Sequence, residues 1–276
     1  MPVYRAIEVT GTRQFSLVTR ELSEPQPGHV RMRVESCGVC HSDSAAIEGR
    51  RDDPSRPIVP GPAFARGSGL VRIPDELNPT ETSPLLCAGL TVYSALLQIN
   101  ARHGALVAVQ GIGGLGHLGL QYAMKLGYRV AAIARGVGKA DLASQLGANH
   151  YIDSSVEDPG TALRKLGGAA AIIATASSGS SMSSLISGLA PRGCMVVVGA
   201  ARDPISVQTT ELVFGTRSVI GSLTGSSIDN EDNLALSVSE GIRPMTEVMP
   251  LVEAPEAYAR MMSGEARFRV VLDMTA

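Results

Sequence analysis

Short apolar runs alternate with helical patterns through the second half of the chain. The runs lie at 106–110, 129–134, 150–152, 170–174, 195–198 and 218–220. Between them come helical or glycine-rich pieces, including a predicted helix at 139–146 that Gly147 ends. Strands and helices in this alternation are typical of an α/β fold with a doubly wound parallel sheet.

The segments before and after this region have different sequence patterns. Residues 29–34 alternate in polarity, which predicts a half-buried strand in a β-rich first part. Seven prolines between 54 and 84 predict loop and turn. A helix at 255–263 and a strand at 268–272 are predicted near the carboxyl end. We therefore expect a discontinuous domain of residues 1–88 and 244–276 around a second domain of residues 89–243.

Composition narrows the class of protein. The 276 residues exceed the usual size of one domain, and apolar residues make up 44%. The net charge of −2 and the lack of basic runs argue against a nucleic-acid partner. No secretory signal or membrane-spanning run is visible, so the cytoplasm is expected, with the four cysteines as thiols and no membrane partner.

A glycine-rich loop follows the first of the central strands. Its residues are Gly111, Ile112, Gly113, Gly114, Leu115 and Gly116. The first glycine allows a tight turn, the second lets backbone approach a pyrophosphate, and the third lets helix and strand pack closely. Free N–H groups at the helix start attract phosphate. The loop predicts a bound dinucleotide, against the alternative of a purely structural turn.

The second central strand indicates which dinucleotide is bound. An NAD site usually has a carboxylate at the end of this strand, but Ala134 stands there. Arg135 follows, and Lys139 is near. Both can offer positive charge to a 2′-phosphate, which favours NADP (NADPH), unless they are ordinary solvated charges.

Residues 37–43 read Cys-Gly-Val-Cys-His-Ser-Asp. The pattern fits haem attachment, a redox pair or half of a zinc site. Haem attachment needs export, no thioredoxin-like unit surrounds the pair, and Cys87 and Cys194 stand alone.

Taken together, the motifs resemble the medium-chain dehydrogenase/reductase family, specifically its zinc-type alcohol dehydrogenases. The segments that carry the likeness fall in family order, at 37–43, 57–61, 84–93, 111–116, 146–148 and 267–272. The resemblance implies a Rossmann domain and a reduced, mainly β, GroES-like catalytic domain. It also implies hydride transfer and a homodimer joined near 218–223.

The resemblance places the catalytic zinc ligands at Cys40, Pro62 and Cys87, with the family's Glu at Ala63. Proline has no donor atom, so zinc is expected to be absent unless a displaced ligand such as His103 or His117 joins the two cysteines. The cysteines can otherwise persist as small buried hydrophobes. Between residues 61 and 84 the family's lobe with the structural zinc is missing.

The matched positions imply roles for individual residues. They supply a catalytic set and a cofactor-binding set. The catalytic set is Cys40, His41, Ser42, Asp43, Thr91 and Tyr93, and the cofactor set is Gly111, Gly113, Gly114, Leu115, Gly116, Arg135, Lys139, Gly199 and Arg269. Asp43 braces the family's zinc shell, His41 and Ser42 resemble its proton relay, and Arg269 its pyrophosphate-side arginine. Ser42 and Thr91 can equally be turn and cap residues.

The sequence thus predicts a zinc-independent, NADPH-dependent reductase for an activated C=C, C=N or C=O group of a bulky small molecule. Two alternatives remain open. One is an alcohol dehydrogenase with a rearranged zinc site built on Cys40 and Cys87. The other is a redox-neutral or degenerate NADP-binding protein.

Overall fold

The computed structural model describes residues 2–49, 53, 56–60 and 70–276. The strands are β1 Val3–Gly11, β2 Gln14–Glu21, β3 Ser36–Gly38, β4 Leu106–Gln110, β5 Arg129–Ala134, β6 His150–Asp153, β7 Ala169–Ala174, β8 Leu189–Val197, β9 Ser218–Gly221, β10 Thr246–Pro250 and β11 Arg269–Asp273. The helices are α1 Ser44–Ile47, α2 Pro79–Pro84, α3 Leu90–Leu97, α4 Gly116–Lys125, α5 Ala140–Gln145, α6 Pro159–Lys165, α7 Gly179–Ser183, α8 Thr209–Gly215, α9 Ser227–Ser239 and α10 Ala254–Ser263.

The chain divides into two compact units. Unit 1 comprises residues 1–86, 226–235 and 244–276, and unit 2 comprises residues 87–225 and 236–243. A wide turn with π-helical geometry, Leu85–Gly89, runs from α2 into α3.

Unit 2 contains a six-stranded parallel sheet in the order β6-β5-β4-β7-β8-β9. This is the strand order of a doubly wound dinucleotide-binding fold, and it confirms the predicted fold class. All five residues of β4 are buried, as expected for a central strand that is covered on both faces. The carboxyl ends of β4 and β7 lie side by side, with Gln110 opposite Ala174, at the point where the strand order reverses.

Unit 1 is built from two small sheets. Strands β1 and β2 form an antiparallel hairpin, and β11 pairs with β10 in parallel and with β3 in antiparallel register. Helix α10 connects β10 and β11 and buries Ala254, Ala257 and Tyr258, whose spacing of three and four residues places them on one helical face. These side chains join a core with Val9 and Val270.

Two predictions for unit 1 are wrong. Residues 29–34 form no strand, and the alternating Val30, Met32 and Val34 side chains are exposed, because the described part of the unit does not cover them. Part of the proline-rich stretch is helical, since α2 begins at Pro79. Proline is accommodated in a first helical turn, and the side chain of Asn78 caps the helix by accepting the N–H of Glu81 at 2.9 Å.

Helix α4 packs on β4 through residues without bulk. A Cβ at Gly116 would lie 1.7 Å from the carbonyl oxygen of Gly111, and one at Gly119 would lie 3.4 Å from a methyl group of Val109. Ala123, on the same face, is fully buried. The close packing of helix and strand that the third glycine of the loop predicts is confirmed, and it brings the start of α4 against the end of β4.

We expect Gly116→Ala to destabilise the protein by about 1–3 kcal/mol, because the turn must open to admit the methyl group. Gly138→Ala is the matched control, since a Cβ there meets nothing within 4 Å. Its free energy of unfolding should change by less than about 0.5 kcal/mol. Urea denaturation of the three proteins measures both effects, and equal midpoints for Gly116→Ala and the wild type would contradict the packing argument.

Candidate functional site: a dinucleotide cradle and a cysteine motif

The glycine loop joins β4 to α4 at the carboxyl edge of the sheet. Gly111 has φ +86°, a left-handed conformation that favours glycine, and a Cβ there would lie 2.8 Å from the Thr175 hydroxyl. Gly113, in contrast, has open space where a side chain would be. The loop therefore leaves room for a ligand to reach its backbone.

The start of α4 presents free donors. Within the described part of the chain, the N–H groups of Gly113, Gly114 and Leu115 donate to no acceptor. Such groups and the helix dipole attract anions. The Gly113 carbonyl, by comparison, is occupied: it accepts from the His117 backbone and lies 2.8 Å from the Nδ1 atom of the same residue. These contacts orient the loop with its N–H groups free to bind phosphate.

The loop after β5 carries the two basic residues predicted to select the cofactor. Arg135 is exposed, and its side chain has no hydrogen bond or ion pair with any described residue. Lys139 instead donates from Nζ to the carbonyl of Ile112 at 2.7 Å. One of its donors thus ties this loop to the glycine loop, while Arg135 faces solvent.

Sequence reasoning missed two residues at this end of the sheet. Tyr151 donates its hydroxyl to the Gly136 carbonyl at 2.5 Å, and Asp153 accepts the Gly136 N–H at 2.7 Å. Burial raises the pKa of Tyr151, and hydrogen bonds led by the Ser155 hydroxyl lower the pKa of Asp153. No sequence motif marks them, because their roles depend on the parallel register that sets Asp153 beside Ala134.

Gly199 follows β8 at the same edge. A Cβ there would lie 2.0 Å from the Ala176 carbonyl oxygen, so only glycine fits between the backbones after β7 and β8. The following segment is held by Asp203, whose carboxylate accepts the N–H groups of Gly179 and Ser180 at the start of α7. These two bonds lower the pKa of Asp203 to about 2.

The cysteine motif lies in unit 1, beginning on β3. The backbone N–H of Cys40 donates to Asp43 at 2.9 Å, which closes a tight turn over His41–Asp43. Ser42 donates its hydroxyl to the Cys40 sulfur at 3.0 Å, and both His41 and Ser42 are exposed. Burial raises the pKa of Asp43, although the Cys40 N–H and the charge of Arg269 act in the opposite direction.

Cys37, on β3 itself, is a different kind of thiol. Burial raises its pKa to about 11, and the nearby Asp43 and Cys40 add to the rise. At neutral pH it is therefore a protonated thiol.

Arg269 opens β11 next to this motif. In the antiparallel register Val271 faces Gly38, so Arg269 lies at the level of Cys40. It is only 7% exposed, and within the described residues its Nε and Nη2 atoms have no hydrogen-bond partner. Buried donors without an acceptor are costly, so these two atoms suit an anionic ligand group.

The remaining catalytic candidates lie in unit 2. Thr91 in α3 is buried and donates its hydroxyl to the Cys87 carbonyl at 2.8 Å. Tyr93 is also buried, with its ring centroid 6.0 Å from that of Tyr122.

Two asparagines of α9 in unit 1 also escaped sequence reasoning. They donate to carbonyls of the wide turn, Asn233 to Leu85 and Asn230 to Leu86. No pattern in the sequence marks them.

The described side chains do not assemble the zinc ligand set. Pro62 and Ala63 lie outside the described residues. In the part of the chain that is described, no group of three or more His, Cys, Asp or Glu side chains is arranged to hold a metal ion. His103 and His117 both belong to unit 2, where His103 stacks on Tyr128 and His117 is fully buried in α4. The described residues do not fit a catalytic zinc.

Comparison with known proteins identifies the family. Residues 114–239 match the model of the zinc-binding dehydrogenase domain. The chain is 31% identical to alcohol dehydrogenase patD of Aspergillus clavatus over 363 positions, covering 92% of this chain and 93% of the relative. The chain belongs to the medium-chain alcohol dehydrogenase family. This confirms the resemblance seen in its motifs.

The relatives also show how the chain differs in length. It is 44% identical to alcohol dehydrogenase patD of Penicillium expansum over 209 residues, which cover 76% of this chain and 61% of that relative. The alignment with the Aspergillus clavatus protein is longer than the chain itself, so the relative has positions without a counterpart here.

Solved structures share the fold. A cinnamyl alcohol dehydrogenase of Sorghum bicolor superposes with a TM-score of 0.88 at 24% identity, covering 100% of this chain and 98% of that one. The CAD protein of Helicobacter pylori, solved in complex with NADP(H), gives 0.84 at 18% identity, covering 99% and 98%. In the described residues, no helix is long and apolar enough to cross a membrane.

The carboxylate of Asp203 should make stability depend on pH. A pKa held below the unfolded value means that its stabilising effect is present above about pH 4 and is lost as the pH falls towards 2. Asp203→Asn should therefore lower the Tm at pH 7, and the difference from the wild type should shrink below pH 4. Thermal unfolding at a series of pH values tests this, and a constant difference would contradict it.

Proposed function

We propose that the protein is a zinc-independent, NADPH-dependent reductase that transfers hydride to an activated C=C, C=N or C=O group of a bulky small molecule. The observation that carries the proposal is the glycine loop, with free N–H groups beside an open Gly113. Residues 89–243 would bind the cofactor, and residues 1–88 and 244–276 would bind the substrate.

The choice of NADP rests on the end of β5. A ribose-binding carboxylate is absent there, because the strand ends at Ala134. Arg135 follows with its guanidinium exposed and unbonded to any described residue. A guanidinium can bind a phosphate through two parallel hydrogen bonds, which a ribose hydroxyl does not need. The structurally similar Helicobacter pylori protein was solved in complex with NADP(H), which is compatible with this assignment.

The proposal of zinc independence rests on the donor atoms. Proline at position 62 has no lone pair to offer a metal, and two thiols alone make a weak site. Without a Lewis acid, negative charge that develops on the substrate must be met by hydrogen-bond donors. Bound NADPH would supply the hydride.

The chain's own residues would handle the proton and the developing charge. His41 and Ser42 are exposed in the turn after Cys40, so they can exchange protons with solvent and substrate. The Nε and Nη2 atoms of Arg269, which have no acceptor among the described residues, can bind an anionic group. Thr91 and Tyr93 are held in fixed positions by the Cys87 carbonyl and by the ring of Tyr122.

Homodimer formation stays a prediction. Strand β9 is the last strand of the six-stranded sheet, and Phe214 and Leu223, on either side of it in sequence, are exposed. An edge strand flanked by apolar side chains is a favourable place for pairing with a second copy.

Arg135→Ala should weaken NADPH binding about 10- to 100-fold, since a charge-assisted hydrogen bond contributes about 1.5–3 kcal/mol. NADH, which has no 2′-phosphate, should bind with nearly unchanged affinity. Arg129→Ala, at the opposite end of the same strand, is the matched control and should leave both affinities unchanged. Fluorescence titration of the cofactors measures the dissociation constants. Failure of the wild type to bind NADPH at high micromolar concentration would overturn the proposal.

Zinc analysis of protein purified without chelators tests the metal assignment. We expect far less than one zinc per chain, because the site lacks its imidazole. Cys40→Ser and Cys87→Ser should not change the metal content, and neither should the control Cys194→Ser in β8. One zinc per chain that is lost in the first two variants and kept in the control would instead establish a rearranged zinc site.

A further inference from the structure

The loop that carries Arg135 is held from the neighbouring strand. Gly136, directly after Arg135, has φ +72°, so the chain turns sharply there. Both polar groups of this residue are bound by β6: Tyr151 donates to its carbonyl, and Asp153 accepts its N–H. The backbone of Ser154 also donates to the Ala134 carbonyl at 2.9 Å. The backbone is thus fixed on both sides of Arg135.

The side chain of Arg135 takes no part in these backbone contacts. It is exposed and makes no hydrogen bond with any described residue, whereas Lys139 reaches back to the Ile112 carbonyl. A fixed backbone under an unbonded guanidinium reduces the conformational entropy that a bound phosphate must overcome. The contacts therefore prepare this arginine for an anion without themselves touching the anion.

We infer that Tyr151 and Asp153 are positioning residues that set the preference for a 2′-phosphorylated cofactor by holding the Gly136 peptide and directing Arg135. The inference rests on the proposed function, since it concerns the same cofactor. Neither residue is required to contact the ligand. Their effect should consequently appear in the NADPH affinity and not in the NADH affinity.

The sign of the effect at Asp153 separates positioning from simple electrostatics. Hydrogen bonds to Ser155 and Gly136 lower the pKa of Asp153, so its carboxylate is negative at neutral pH. Through space, that charge repels a phosphate, and removing it would strengthen NADPH binding. If positioning dominates, removing the side chain weakens NADPH binding despite the lost repulsion.

The test is calorimetric titration with NADPH and NADH. Tyr151→Phe and Asp153→Ala should each raise the NADPH dissociation constant about fivefold, the effect of one lost hydrogen bond, and change that of NADH less than about twofold. Asp153→Asn keeps an acceptor for Gly136 and removes the charge, so its preference for NADPH should be at least as strong as that of the wild type. Equal losses for both cofactors, or tighter NADPH binding by Asp153→Ala, would overturn the inference.

A double-mutant cycle links these residues to Arg135. In an Arg135→Ala background, Tyr151→Phe should no longer change the NADPH affinity, because the group it positions is gone. A loss of about fivefold that persists in this background would overturn the inference. Tyr128→Phe and Asp141→Ala are matched controls, removing a hydroxyl and a carboxylate elsewhere in unit 2, and should leave selectivity unchanged.

The outcomes also distinguish the two proposals. A wild-type protein that binds neither cofactor refutes the proposed function. A wild-type protein that prefers NADPH, with variants that keep this preference, refutes only the positioning role. Loss of the thermal unfolding transition would show that Asp153→Ala does not fold. In that case Tyr151→Phe, alone and in the double-mutant cycle, still tests the positioning role, because this variant keeps the aromatic ring.

Discussion

The close approach of Gly116 to the Gly111 carbonyl is the constraint on which the fold of unit 2 depends. A helix can start this near the end of a central strand only if no side chain lies between the two backbones. The same contact fixes the direction of the first turn of α4, and hence where its free N–H groups point. The same loop leaves open space beside Gly113, where a Cβ would meet nothing within 4 Å.

The charged side chains of the candidate site fall into two groups. Asp153 and Asp203 accept hydrogen bonds from backbone N–H groups, and Lys139 donates to a backbone carbonyl. Asp153 also accepts from the Ser155 hydroxyl. Arg135 and Arg269 have side-chain donors without acceptors among the described residues, although one arginine is exposed and the other is buried. Because buried donors without an acceptor are unfavourable, the Nε and Nη2 atoms of Arg269, which have none among the described residues, suit an anionic ligand group.

Much of unit 2 could be predicted from sequence, because fully buried parallel strands leave strong apolar runs and because Gly111 and Gly116 each meet a distinct steric requirement. Unit 1 was harder. The alternation of apolar and polar residues at 29–34 does not reveal whether another segment of the chain covers the apolar side chains, and here they are exposed. The helix at Pro79 was hidden because proline both ends helices and starts them, and only the capping Asn78 distinguishes the two. Tyr151 and Asp153 escaped notice because their roles depend on a strand that is adjacent in space, not on a motif.

The pairing of β3 with β11 has a consequence for biosynthesis. Leu272 pairs with Cys37, so β3, where the cysteine motif begins, cannot complete its sheet until β11 has been synthesised. Most of unit 2, in contrast, is one continuous stretch of chain, so its hydrophobic core can form earlier. Contacts between distant parts of a chain form slowly because a large loop must first close. A nascent chain of this protein can therefore form most of the core of unit 2 before β3 gains its partner strand.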